Sequence, residues 1–157
     1  MNRRREPCVL ALAILLAGCG PSSPYRGKSA ADLQRMLDDP DPTVQTQGAI
    51  GLAQLGAEGR EAASRLTEVL KSSPPLVRQN AALALGKIDP DPAIATPALI
   101  DALSDEEWTV RRQAALALGD LGPAAKDAVP ALQKLQRDDS QMRVREAARM
   151  ALGKMGK

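Results

Sequence analysis

The side chains best equipped for chemistry are few in this chain. No histidine occurs in the 157 residues, and the two cysteines are Cys8 and Cys19. General acid–base catalysis and zinc ligation lean on imidazole and thiolate, so no catalytic residue, metal site or cofactor is expected. Carboxylates do gather, as Asp38, Asp39 and Asp41 and again as Asp138 and Asp139. Oxygen ligands of that kind suit a hard cation. Both groups also fall in turns ahead of helix patterns, where acids cap free N–H groups and meet the positive end of the helix dipole. Capping is the role expected of them. Gly27-Lys28-Ser29 has the ending of a phosphate-binding loop, but Ser22 stands where that loop needs glycine, and no strand pattern precedes it. Ser29 is expected to cap a helix instead, with Asp32 completing a capping box.

Cys19 ends the stretch Leu-Leu-Ala-Gly-Cys that closes the N-terminal segment. Arg3, Arg4 and Arg5 form a positive start, residues 9–17 are apolar, and small residues Ala17 and Gly18 precede the thiol. This is the three-part plan of an export signal. The apolar run is too short to span a bilayer, which takes about 18 residues. Leu16-Ala17-Gly18-Cys19 resembles a bacterial lipobox. The resemblance implies diacylglycerol on the Cys19 sulfur and cleavage between Gly18 and Cys19. A thiolate is a strong nucleophile for such a transfer, and two or more acyl chains anchor a protein stably. Residues 1–18 are thus expected to be a signal peptide and residues 19–28, rich in Gly, Pro and Ser, a tether. The same resemblance implies an exported protein held to a membrane. In a cell with two membranes, the resemblance further implies release to the outer one, because the residue after the cysteine is Gly20 and not Asp.

Removing residues 1–18 takes Lys+Arg from 21 to 18 and Asp+Glu from 19 to 18, so the remainder is formally neutral. Neither a basic footprint for nucleic acid nor an acidic tail is present. With one Trp, one Tyr and no Phe, the core must be built by close-packing Ala, Leu, Val and Ile, which favours helix against helix.

Residues 29–157 repeat. Segments of one pattern begin at Val44, Val77, Val110 and Val144, at spacings of 33, 33 and 34. At offsets 0, 4, 8 and 11 from each valine the residues are apolar except Gly48, which marks one face of a helix. Gly56, Gly122 and Gly156 are placed to end three of these helices, and Asp89 followed by Pro90 ends the other. A shorter helix is expected before each, carrying Leu33 and Leu37, Leu66 and Leu70, Leu99 and Leu103, and Leu132 and Leu135. Pro42 and Pro75 fit the first turn of the second helices. The expected units are residues 29–58, 59–90, 91–124 and 125–157. Such a unit cannot bury its apolar face alone, but stacked units share one core. Small residues at offsets 5 and 7 allow close approach. Arg149 replaces alanine at offset 5 in the last unit and is expected to give that unit a polar outer face.

The pattern, carried by "VRQNAALALG", "VRRQAALALG" and "VREAARMALG", resembles the short HEAT-like repeats of bilin lyases. The ankyrin and tetratricopeptide signatures are absent. The resemblance implies an all-α fold, an α-solenoid of about four helix-turn-helix repeats. It also implies that Arg78, Arg111 and Arg145, which follow three of the valines, pair with turn acids of a neighbouring unit. Trp108 is the candidate recognition residue, with Arg111 and Arg112 one turn away, since aromatics and arginine concentrate at binding hot spots. The expected function is a non-catalytic scaffold or adaptor that holds an unidentified protein partner at a bacterial envelope. A chromophore-related accessory role, by analogy with lyases, and a generic structural role are the alternatives.

Overall fold

The computed structural model describes residues 25–156, so the expected signal peptide and Cys19 lie outside the described residues. Eight α-helices form four units among these residues. They are α1 (Ala30–Met36) and α2 (Pro42–Leu55), α3 (Ala63–Ser72) and α4 (Pro75–Lys87), α5 (Pro92–Ala102) and α6 (Trp108–Leu121), and α7 (Val129–Asp138) and α8 (Met142–Lys154). Each valine-led segment is the second helix of its unit, as the periodicity predicts. Of the sixteen face positions, only Val44, Leu55 and Leu121 are less than fully buried.

Local signals set the helix starts. The Ser29 hydroxyl accepts from the Asp32 N–H at 3.2 Å and the Asp32 carboxylate accepts from the Ser29 N–H at 3.3 Å, a complete capping box. Asp41 caps α2 through the Thr43 N–H at 2.8 Å, and Asp91 caps α5 through the Ala93 N–H at 2.9 Å. Gly56 and Gly122, at φ of 58° and 60°, turn the chain out of α2 and α6. Asp89 likewise has a positive φ, 50°, where the second unit has no glycine. A short polar side chain tolerates that region best after glycine. Pro90 does not act alone, therefore: the chain has already turned at Asp89.

One element is absent from the periodic pattern. A 3₁₀ helix covers Gly56–Ala62 ahead of α3, and another covers Gly122–Ala128 ahead of α7. The third unit has none. There α5 begins at Pro92 with a capping Asp91 and continues through Pro97 in its interior. In the fourth unit Leu132 is buried but Leu135 only partly so, because the extra residue of that unit shifts its register.

The second helices pack against one another at every step, α2 on α4, α4 on α6 and α6 on α8. The first helices pack extensively only between α3 and α5. The row of second helices is thus the tighter, inner side of the superhelix. Glycine allows the tightness. A Cβ placed on Gly86 would lie 2.9 Å from the Ala117 Cα, and one on Gly119 would lie 2.8 Å from the Ala151 Cα. These glycines stand at offset 9, facing the small residue at offset 7 of the next unit. At the other end, the Tyr25 Cβ and the Leu33 side chain fill the space beside Gly51.

Candidate binding surface

The arginines that follow three of the valines are committed to the repeat itself. Arg78 in α4 reaches the turn of the third unit, with Nε 2.8 Å and Nη2 2.7 Å from the two Asp105 oxygens. Its Nη1 donates to the Ser73 carbonyl at 2.8 Å. Arg111 in α6 repeats this with Asp139, Nε to Oδ2 at 2.7 Å, and donates Nη1 to the Asp105 carbonyl at 2.8 Å. Arg145 departs from the expectation: in the last unit it pairs with no acid of a neighbouring unit among the described residues, and donates Nη1 to the Asp139 carbonyl of its own unit at 2.7 Å. The turn acids are held from their own side as well, since Asp39, Asp105 and Asp139 each accept a backbone N–H two residues ahead. In the first unit Gln45 replaces the arginine, and the acid position one unit on is Ser72. The bonding set changes at both ends together. Gln45 donates to the Asp39 carbonyl at 2.8 Å, while its Oε1 is buried without a partner.

The electrostatics follow from that geometry. Burial raises the carboxyl pKa of Asp105, but the Arg78 guanidinium and the Glu107 N–H outweigh it and hold the group below the ordinary value. Asp139 is lowered in the same way, with burial opposed by Arg111 and the Gln141 N–H. A second ladder runs along the inner row. Asp120 accepts from Lys87 at 2.8 Å and from Lys154 at 2.6 Å, joining three units. Burial pushes its carboxyl up, and the two lysines bring it below the ordinary range. Sequence reasoning missed this ladder, although offset 10 reads Gln54, Lys87, Asp120 and Lys154, with alternating charge in the last three units.

Of the three expected recognition residues, Arg111 is absorbed by the ladder. Trp108 is the first residue of α6, is half-buried, and has the Arg143 guanidinium 5.9 Å from its ring centroid. The structure therefore pairs the indole with a cation of the following unit. Arg112 is exposed on the next turn of α6. The sequence reading missed the exposed large hydrophobics, Leu76 at 60%, Met142 at 69%, Met150 at 48% and Ile94 at 40%. Leu76 was legible, since the other units carry Thr43, Thr109 or Arg143 at its position.

Two adjoining grooves open on the outer side. One, about 490 Å³, is lined by α5 and the 3₁₀ helix Gly122–Ala128. The other, about 470 Å³, continues between α5 and α7. Among the described residues, no three His, Cys, Asp or Glu side chains converge to hold a metal, and no helix is long and apolar enough to cross a membrane.

The family model for HEAT repeats matches residues 29–96 and 65–153. No curated protein matches the chain by sequence. Among solved structures, the CpcE–CpcF complex of phycocyanin lyase from Nostoc is 23% identical over 93% of this chain and 58% of its own, with a TM-score of 0.68. A designed armadillo repeat protein in complex with a (KR)4 peptide is 22% identical over 80% of this chain and 64% of its own, with a TM-score of 0.67. Human deoxyhypusine hydroxylase is 30% identical over 83% of this chain and 44% of its own, with a TM-score of 0.64. The chain thus spans less than two thirds of the length of each.

Proposed function

Because the chain belongs to the HEAT-repeat family, we propose that it is a non-catalytic protein-binding scaffold, lipid-anchored through Cys19 at a bacterial cell envelope. One observation carries the reading. The charged side chains at the unit junctions, Arg78, Arg111 and Asp120, bond within the solenoid and stiffen it, while Leu76, Met142 and Met150 remain exposed along the second helices. Exposed apolar side chains on a rigid frame fit partner recognition, since little ordering entropy is lost on binding. A designed armadillo repeat protein of similar fold is in complex with a peptide, which supports the same kind of role here. The anchor would add to affinity by concentrating the scaffold at the membrane.

The test is chemical cross-linking in native cells, capture of the tagged full chain and mass spectrometry of what accompanies it. The proposal expects one dominant envelope protein, less abundant in the capture when Cys19→Ser releases the chain from the membrane. Absence of any enriched partner, with the bait well expressed, contradicts it. Labelled palmitate reads the anchor separately: incorporation should disappear in Cys19→Ser, and label that persists contradicts lipidation there. The second reading, an accessory to chromophore attachment, draws on the likeness in fold to the CpcE–CpcF complex of phycocyanin lyase. A bilin absorbance band on the purified protein would favour it.

A further inference from the structure

The outer groove along α5 differs from its counterparts. In the second and fourth units the segment before the first helix is 3₁₀, and the first helix begins only at Ala63 or Val129. In the third unit α5 begins at Pro92 and takes Pro97 into its interior. Proline has no N–H, so the Ala93 carbonyl, four residues earlier, receives no donor from that position. Thr96, next to Pro97, is 6% exposed, and its hydroxyl is buried with no hydrogen-bond partner. Ala93, Thr96 and Pro97 all line the groove.

The charged rim is of one sign at this end. Asp101 and Asp127 line the groove with these groups, and Asp138 lines its continuation toward α7. These three acids form no ion pair among the described residues, in contrast to Asp105, Asp120 and Asp139. Lys134 is the cation among the described lining residues, and it stands in the continuation. The floor between them is apolar, with Ile100 common to both parts. Two carboxylates, and a carbonyl that lacks its helical donor, present hydrogen-bond acceptors with little to donate to them.

We propose that this groove takes a basic segment of a partner protein, seating a lysine or arginine side chain against the Ala93 carbonyl and the Asp101 and Asp127 carboxylates. The apolar stem of that side chain lies along Pro97 and Ile100, as long cationic side chains do. The assignment rests on the scaffold reading above and names the class of partner and the face that receives it.

The test uses the full chain in mild detergent and a fluorescein-labelled octapeptide of alternating lysine and arginine, titrated by fluorescence anisotropy. Saturable binding is expected for the wild type. The double substitution Asp101→Asn with Asp127→Asn should weaken it about tenfold or more, as loss of charge-assisted bonds does. Glu58→Gln with Glu61→Gln removes the same charge from an exposed segment outside the groove, and should leave binding within about twofold. Circular dichroism checks that both variants keep the wild-type fold. No saturable binding by the wild type, or equal weakening by the two double variants, overturns the groove assignment. Capture of a partner in cells together with either of those results leaves the scaffold reading standing and removes only this one.

Discussion

Arg111 and Arg112 adjoin in sequence and differ in fate. The first lies against an Asp139 side chain that is 4% exposed, and the second is exposed. Arg111→Ala should destabilise the fold by about 3 kcal/mol, because it strands a buried carboxylate. Arg112→Ala should stay within about 0.5 kcal/mol. Urea unfolding of the two variants checks the contrast, and equal effects would contradict the ladder. The same carboxylates set a pH dependence. Asp105 and Asp139 have folded-state pKa values below the ordinary value. Their stabilisation is complete above the unfolded value of about 3.9 and is lost as pH falls through the lowered folded one. Thermal midpoints should therefore hold from about pH 5 to 8 and fall below about pH 4, with a shallower acid limb in Asp139→Asn. The arginine ladder was legible because the type recurs at one offset in three units. The partner of Trp108 was not. Arg143 sits one unit further along the chain, and only the stacking of units brings it over the ring.

Between elements, the spacing of the second helices depends on residues that lack side chains. Gly119 admits the Ala151 backbone, so Gly119→Ala should cost about 1–3 kcal/mol through overpacking. Gly153 occupies the same offset in the fourth unit, and a Cβ there would meet nothing within 4 Å. Gly153→Ala should instead stabilise by about 0.5–1 kcal/mol, since alanine is the better helix former. Opposite signs in denaturant unfolding would support the close approach, and two losses of equal size would contradict it. The sequence pattern shows the helices clearly because their buried faces repeat at 3.6-residue spacing. It says less about the connection into α5. "GAEGREA" and "DPDPAIA" are of equal length, yet the first folds as 3₁₀ throughout while the second stays non-helical through Asp91 and enters α5 at Pro92. The Asp91 cap and Pro92 at the helix start explain that choice once the structure shows them acting.

For the whole molecule, four units share a core of alanine, leucine, valine and isoleucine, as the near-absence of aromatics required. The solenoid was readable because its buried face, its glycine stops and its arginine ladder all carry one period. A binding surface has no such repetition to reveal it. The exposed Leu76 and Met150 and the acidic groove along α5 are departures from the pattern, and they stand out only after the repeated contacts have been accounted for. The proposed scaffold, if held at a membrane through Cys19, should gather one partner there. The most direct test is quantitative cross-linking and capture in native cells, comparing the wild-type chain with Asp101→Asn/Asp127→Asn and with Cys19→Ser. One dominant envelope protein, depleted by both changes, is expected. A capture profile indistinguishable from that of an unrelated bait would contradict it.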